Sequence, residues 1–301
     1  MSPCARVAAQ AKVNLLLRVL AREQSGYHSI ETVFLRIGLT DDVVVRADDD
    51  VHGRSIDCAG EAMPESGLGA PDENLAYRAA IAYASATGWP AGFAIEIVKR
   101  IPVGAGLGGG SADAGAVLRA LDGMSPAPLG DRLPELASEL GSDVPFLTID
   151  SPMALAWGRG ERLFPLPALS SRPLVLALPG FGVATKDAYA WLASERGTYR
   201  PRSAVLRPAD VDTWAGIAAC GTNDFEAVVV RRHPEIARLL EALRAAGAIT
   251  ALMSGSGSAV FGVFDEEEPA EAAAQALRAG DDARRVLVTR SAERVERVVN
   301  A

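Results

Sequence analysis

Apolar and polar positions along the chain follow two periods, and the change from one to the other marks its elements. Val13 to Leu20 is too continuously apolar to alternate, which predicts a strand covered on both faces. Ser25-Gly26 supplies a turn, and Ile30–Leu39 and Val43–Ala47 predict two further strands. Asp72 is the expected N-cap of a helix running through Glu73-Asn74-Leu75-Ala76 to Thr87, where Gly88 and Pro90 end it. Phe93–Val98 alternates as a strand. A glycine-rich loop follows, then an alanine-rich helix from about Ser111 to Leu121.

The second half repeats the mixture with different punctuation. Leu174–Leu178 predicts a short strand that stops at Pro179-Gly180. Helices are expected over 185–194, 224–231 and 234–246, the last stopped by Gly247. Ile249–Met253 and Ala259–Phe264 predict strands on either side of a Ser-Gly-Ser-Gly-Ser turn. Glu267–Ala279 predicts another helix and Arg285–Thr289 a final strand. Residues 195–210 hold Gly, Pro and four Arg without periodicity and are expected to form an exposed loop. There is no internal repeat. The pattern as a whole predicts an α+β protein in two halves, 1–158 and 159–301.

Composition narrows the function classes. A chain of 301 residues is long enough for one large domain or two ordinary ones, each with a substantial core. The formal net charge of −8, with no basic block, argues against a nucleic-acid surface. No apolar run approaches the roughly 18–20 residues that span a bilayer, so no membrane partner is expected. Arg6 and Lys12 interrupt the apolar stretches at the start, which leaves no secretory core. Cys4, Cys58 and Cys220 are odd in number and widely spaced, and the histidines are His28, His52 and His233 alone. No disulfide framework or metal cluster is expected from these residues, and a reducing cytoplasmic setting follows. Of the 30 basic residues only Lys12, Lys99 and Lys186 are lysines.

The segment from Ile101 to Asp113 carries the most information. Gly104, Gly106, Gly108, Gly109 and Gly110 fall within seven residues, between a strand and a helix N-terminus. Such a loop presents backbone N–H groups, and the helix dipole adds positive potential, so a phosphate chain is held without side-chain charge. A P-loop would need a lysine where Gly110 stands. The dinucleotide spacing Gly104-x-Gly106-x-x-Gly109 is present, but the acid at the right distance, Asp122, falls at a helix end. A Pro-x-x-x-Gly-Leu-Gly-Gly-Gly-Ser pattern fits every position from Pro102 to Ser111. A tightly packed structural turn is the remaining reading, and the chain entropy of so many glycines speaks against it.

With that loop the chain resembles the superfamily of galactokinase, homoserine kinase, mevalonate kinase and phosphomevalonate kinase (GHMP kinases). Within it the chain is most similar to the 4-diphosphocytidyl-2-C-methyl-D-erythritol kinase family. Ala11-Lys12-Val13-Asn14-Leu15, Gly26-Tyr27-His28 and Gly141-Ser142-Asp143-Val144-Pro145-Phe146 carry the narrower likeness. Asn223-Asp224-Phe225-Glu226 and Met253-Ser254-Gly255-Ser256-Gly257 add to it. The resemblance implies a two-domain GHMP-kinase-like α+β fold with the active site in the interdomain cleft. It further implies ATP-dependent phosphorylation of the substrate's 2-hydroxyl, giving the 2-phosphate and ADP, in the non-mevalonate route to isoprenoid precursors. The competing readings are another GHMP small-molecule kinase, of the homoserine or phosphomevalonate type, and a non-catalytic nucleotide-binding homologue.

Each residue has a bland reading beside the one implied. Lys12 and Asn14 lie two apart on a strand and share a face, where they need a polar cavity or an ion pair at a sheet edge. The resemblance makes Lys12 catalytic and Asn14 a substrate contact. Asp143 is either a helix-start residue or, by resemblance, the acid that aligns the substrate hydroxyl and takes its proton late. Tyr27 and His28 are packing and surface residues or, by resemblance, a cytosine site, with Thr185 and Tyr189 as the opposite wall. Thr185 also reads as a helix cap. Lys99 is either a nucleotide-side contact or an exposed lysine, and Ser111 touches phosphate or caps the helix. Pro102, Gly104, Gly106, Leu107, Gly108, Gly109 and Gly110 complete the nucleotide loop. Mg2+ is implied because ATP is used as its metal complex, although the chain has no dedicated metal pair. Lys186 has no assigned role. Gln10, Ser25, Gly115 and Ser258-Ala259 depart from the family's usual Pro, Asp, Ala and Pro-Thr.

Overall fold

The computed structural model describes residues 2–22, 28–48, 53–195 and 206–301. Its first sheet is built on two long strands, β1 (Cys4–Arg22) and β2 (His28–Asp48), paired antiparallel along nearly their whole length. From Ala9 to Leu17 every β1 residue is buried, so the strand is covered on both faces there. β2 is one strand where the sequence predicts two. The polar pair Asp41-Asp42 does not break it, because both carboxylates are satisfied: Asp41 accepts the N–H groups of Arg100 and Ile101, and Asp42 pairs with Arg6 and Arg100.

On the far half of β2 lies β4 (Gly92–Val98), and parallel to it β3 (Arg54–Ala59). On the near half β2 pairs with β5 (Met153–Gly158), which turns back into β6 (Arg162–Pro165). The expected division at 158/159 therefore falls inside the β5–β6 hairpin. Helices α1 (Leu75–Thr87) and α2 (Gly109–Met124) pack on one another and α2 packs on β1. Asn74, not Asp72, caps α1: its side chain accepts the Ala76 N–H at 2.9 Å, while Asp72 lies in a preceding 3-10 turn. α2 begins two residues before the predicted start, with Gly108 in the left-handed conformation at its N-cap. Two short helices, α3 (Leu133–Ser138) and α4 (Val144–Thr148), follow it and went unpredicted.

The second sheet is β7 (Pro173–Leu178), β9 (Thr250–Met253), β10 (Val260–Val263) and β11 (Arg285–Arg290), antiparallel in the order β11-β7-β10-β9. Every β7 residue is buried because the sheet is covered on both sides. Val175 and Ala177 join an apolar cluster with α8 (Pro234–Ala245) and α9 (Glu267–Ala279), while Leu174, Leu176 and Leu178 belong to the larger cluster that contains β1 and β2.

α5 (Thr185–Glu195), α6 (Trp214–Cys220) and α7 (Glu226–Val230) complete the helices. β8 (Thr222–Asn223) runs parallel to β1 at Leu16 and Leu17, and β12 (Val299–Asn300) pairs with its start. Three of the second half's segments, β6, β8 and β12, thus belong to the first sheet. Of the loop expected at 195–210, residues 196–205 lie outside the described residues and Pro208–Asp210 form a 3-10 turn.

Candidate active site

Lys12 and Asn14 share a face of β1, as their spacing predicts, and the Lys12 ammonium donates to Asn14 Oδ1 at 2.8 Å. Lys12 is only 3% exposed, and its Nζ lies 3.2 Å from Asp143 Oδ2 and 5.5 Å from the centre of the Phe34 ring. Asn14 is held in turn. Its amide donates to Thr32 Oγ1 at 2.8 Å, and its oxygen also accepts the Gly255 N–H at 3.0 Å. Asp143 stands at the N-cap of α4, yet its side chain makes no capping hydrogen bond. The carboxylate turns to Lys12 instead, so the helix-start reading of Asp143 does not describe its side chain.

Two glycine turns close around this pair. In the first, Gly104, Gly106 and Gly108 have φ of 74°, 81° and 71°, which only glycine adopts without strain. The Leu107 carbonyl accepts the Lys12 N–H at 3.0 Å, and the Gly106 carbonyl accepts Ser254 Oγ at 2.9 Å. A Cβ on Gly106 would collide with the Ser254 carbonyl, and one on Gly108 would come within 3.0 Å of the Lys12 side chain. The second turn, Ser254 to Ser258, is fixed from beneath: Asn223 Nδ2 donates to the carbonyls of Met253 and Gly255 at 2.7 and 2.8 Å. Glu226 accepts the Met253 N–H at 2.9 Å, and burial pushes its carboxyl above the ordinary value. Asp224 accepts the Val19 N–H at 2.8 Å, tying this segment back to β1.

Together these elements enclose a cleft of about 290 Å³ lined from both halves of the chain. Lys12, Asn14, Gly106, Gly108, Ser111, Asp143, Thr185 and Tyr189 all line it. Ser111 is a third-position residue of α2, not its cap. Thr185 opens α5 and its hydroxyl lies 3.0 Å from that of Ser256. Tyr189 meets Phe225 edge-on at 4.9 Å between ring centres. Pro102 and Gly104 of the loop, and Gly109 and Gly110 at the start of α2, do not line the cavity, and Leu107 points its side chain into the core at 1% exposed. Tyr27 lies outside the described residues. His28 begins β2, on the strand that continues to the cleft residue Ile30.

Lys99 requires a correction. The exposed reading does not hold: Lys99 is 1% exposed, its ammonium pairs with Asp41, and it sits 2.6 Å from Asp113 Oδ2. The cluster lies behind the loop, where the Lys99 Nζ would be 3.6 Å from a Cβ on Gly109. Burial works against the charge, and the carboxylates of Asp113 and Asp41 outweigh it, holding the ammonium above its ordinary value. The cleft residues Phe34 and Ile30, and Thr32 that holds Asn14 from behind, read in the sequence as ordinary strand positions. The polar run Asn223-Asp224-x-Glu226 ahead of an apolar helix was a visible signal whose structural task emerges only here.

Two departures from the family pattern also find their places. Gln10 bridges to the chain's last segment, donating to the Arg294 carbonyl at 3.2 Å and accepting the Glu296 N–H at 3.0 Å. Gly115 lets α2 approach α4, since a Cβ there would lie 2.7 Å from the Leu147 carbonyl.

The chain is similar to known proteins over most of its length. The GHMP kinases N terminal domain matches residues 74–150 and the GHMP kinases C terminal domain residues 207–282. A 4-diphosphocytidyl-2-C-methyl-D-erythritol kinase of Pelotomaculum thermopropionicum is 43% identical over 292 residues, covering 94% of this chain and 96% of that one. The enzyme of the same name from Geobacter sp. strain M21 is 40% identical, over 89% of this chain and 92% of its own. A crystal structure of 4-(cytidine 5'-diphospho)-2C-methyl-D-erythritol kinase superposes with a TM-score of 0.75 at 38% identity, over 95% of this chain and 98% of that one. Homoserine kinase from Cytophaga hutchinsonii shares the fold at a TM-score of 0.69 and 19% identity, over 99% of this chain and 97% of that one. By sequence and structural similarity over nearly its full length, the chain belongs to the 4-diphosphocytidyl-2-C-methyl-D-erythritol kinase family of the GHMP kinases.

Proposed function

We propose that this protein transfers the γ-phosphoryl group of ATP to the 2-hydroxyl of 4-diphosphocytidyl-2-C-methyl-D-erythritol, releasing ADP and the 2-phosphate. The observation that carries the reading is the Lys12–Asp143 pair, 3.2 Å apart in a cleft where the glycine loop meets the start of α2. That loop fits a triphosphate: its glycines leave no Cβ in the way, and α2 directs its first N–H groups and its dipole to the same place. Mg2+ would enter as the nucleotide's metal complex, where it would offset charge on the phosphates.

Phosphoryl transfer runs through a loose transition state, in which positioning and charge neutralisation dominate. Asp143 Oδ aligns the acceptor hydroxyl. As the new P–O bond forms and the bond to the leaving ADP breaks, the hydroxyl proton passes late to Asp143. Lys12 holds Asp143 through the ion pair and stabilises charge on the transferring group. Asn14 and the Gly255 N–H fix the ammonium's direction. Thr185, Tyr189 and Phe225 form a wall of the cleft assigned to the acceptor's base, and the family resemblance assigns Tyr27 and His28 to the same base. The free thiols Cys4, Cys58 and Cys220 fit a reducing cytoplasm, and no described helix is long and apolar enough to cross a membrane.

The test follows ADP release from the purified protein with ATP, Mg2+ and the diphosphocytidyl substrate. Lys12→Ala and Asp143→Ala are expected to lose about 10²–10⁴-fold in kcat. Lys12→Arg, which replaces a compact ammonium with a planar guanidinium in a side chain packed against Gly108, is expected to fold and be nearly inactive. Turnover of homoserine with none of the cytidyl substrate would replace the acceptor assignment, and equal rates in all variants would remove the mechanism.

A further inference from the structure

One buried cluster fastens the glycine loop at both ends. Just past β4 the N–H groups of Arg100 and Ile101 donate to Asp41 Oδ1 on β2, and the Lys99 ammonium pairs with Asp41 Oδ2. The same ammonium donates to Asp113 Oδ2 at 2.6 Å, and Asp113 stands on α2 one turn after Gly109. A Cβ on Gly109 would lie 3.0 Å from Ile101 Cγ2 and 3.6 Å from Lys99 Nζ, so the cluster sits directly behind the first residue of the helix. The strand that enters the loop and the helix that leaves it thus share one cation.

That cation does not balance the cluster. Lys99, Asp41 and Asp113 are all buried, and two acids against one ammonium leave negative charge in excess behind a loop assigned to a polyphosphate. The hydrogen bonds show which acid takes a proton. Asp41 is satisfied as an anion, with both oxygens accepting, whereas Asp113 Oδ1 is buried without a hydrogen-bond partner. An unpaired anionic oxygen in that place costs far more than a neutral hydroxyl. Burial raises the Asp113 carboxyl to about 7, opposed by the Lys99 charge and reinforced by Asp41. Cys58 on β3 is the other titratable group facing the cluster. Its thiol accepts from Asn74 and is pushed up to about 11, first by burial and then by Asp113, so it stays neutral. On the β1 side Lys12 faces the cleft and pairs with Asp143. A triphosphate arriving at the loop adds negative charge beside the cluster and favours the neutral form of Asp113 further.

We propose that Asp113 is a positioning residue of the nucleotide site whose carboxyl takes up a proton as the polyphosphate enters the glycine loop. It acts through Lys99 and the loop, and the inference rests on the nucleotide assigned under Proposed function. The proton comes from solvent onto Asp113 Oδ1 and returns there when the nucleotide leaves. Below pH 7 the carboxyl already holds its proton, so binding costs nothing extra. Above pH 7 binding must bring the proton in, and nucleotide affinity falls as pH rises.

The test is calorimetry of ADP binding with Mg2+ at pH 7.5, in buffers of different ionisation enthalpy. It compares wild type with Asp113→Asn, each checked for folding by circular dichroism. Wild type is expected to take up about half a proton more per ADP than the variant, since the nucleotide's own titration is common to both. Between pH 6 and pH 9 the Kd of wild type for ADP is expected to rise about 3- to 10-fold more than that of Asp113→Asn. Difference infrared spectroscopy supplies a readout on wild type alone: adding ADP strengthens the C=O band of a protonated carboxylic acid. Equal proton uptake in the two proteins, parallel pH dependence of their ADP affinity, or no gain in that band would overturn the role of Asp113 alone. Wild type that binds no adenine nucleotide would instead overturn the nucleotide assignment, and this inference with it.

Discussion

Lys12 and Lys99 are both buried and both face carboxylates from other elements, but their charge balances differ. Lys12 meets one carboxylate, Asp143, which is 28% exposed at the cleft. Lys99 lies between two sealed ones, Asp41 and Asp113, so one ammonium answers two buried acids. The surplus falls on Asp113, whose Oδ1 has no hydrogen-bond partner in the structure. Burial pushes the Asp113 carboxyl up to about 7; the Lys99 charge opposes this and Asp41 adds to it. Between the ordinary value of 3.8 and about 7 the folded protein therefore keeps a proton that the unfolded chain gives up. Stability from this group is present at low pH, falls as pH rises through that window and levels off above it. Asp113→Asn retains the shape and removes the titration. Urea unfolding at pH 5 and pH 8 is expected to show a smaller loss of stability for the variant than for wild type. Equal losses would mean that Asp113 is ionised throughout.

At the scale of elements, the two glycine turns act as one unit because each occupies space the other leaves. Gly104 and Gly106 share the left-handed conformation, yet a Cβ on Gly104 would have nothing within 4 Å, while one on Gly106 would strike the Ser254 carbonyl. Gly104→Ala is expected to cost only the backbone term, about 1–2 kcal/mol. Gly106→Ala adds overpacking of roughly 1–3 kcal/mol and separates the turns. Thermal unfolding of both variants measures the difference, and equal costs would show that the turns do not interlock. Elements of this kind differ in how far the sequence reveals them. α8 and α9 were legible because Ile236, Leu239, Leu240 and Leu243, and likewise Ala270, Ala273, Ala274 and Leu277, repeat at helical spacing and are the residues buried. β3, exposed and only partly apolar, and α4, five residues long, carry no such period. Lys12, Asn14 and Asp143 were legible as unusual residues in apolar or turn contexts. Their meeting was not, since β1 and α4 come together only through tertiary packing, and neither was the Lys99 cluster, which joins residues 58 and 14 positions apart.

At the scale of the whole molecule, the last residues of the chain close the first sheet. Ala292 N–H donates to the Arg36 carbonyl, Arg119 to the Glu296 carbonyl and Ala301 N–H to the Cys4 carbonyl. Gln10 makes its two bonds to Arg294 and Glu296, and Val295 is buried at 6% exposed. Arg36 matters most in this set. Its guanidinium is buried and donates to the carbonyls of Ser151, Phe146 and Ile149, and desolvation lowers its pKa to about 9. Those carbonyls lie at the end of α4, so Arg36 links the strand opposite Lys12 to the helix that begins at Asp143. Deleting residues 292–301 opens the side of this arrangement and leaves Gln10 and Arg119 without their partners. The deletion is expected to lower stability by about 3–5 kcal/mol, from several lost hydrogen bonds and the lost burial of Val295 against the sheet. Its urea midpoint should fall with it. Activity at a temperature where the truncated protein remains folded should also drop, through kcat, because Asp143 rides on α4. A truncated protein as stable as the full chain would show that the tail only decorates the sheet. One that is destabilised but fully active per folded molecule would separate the tail's packing from the alignment of Asp143.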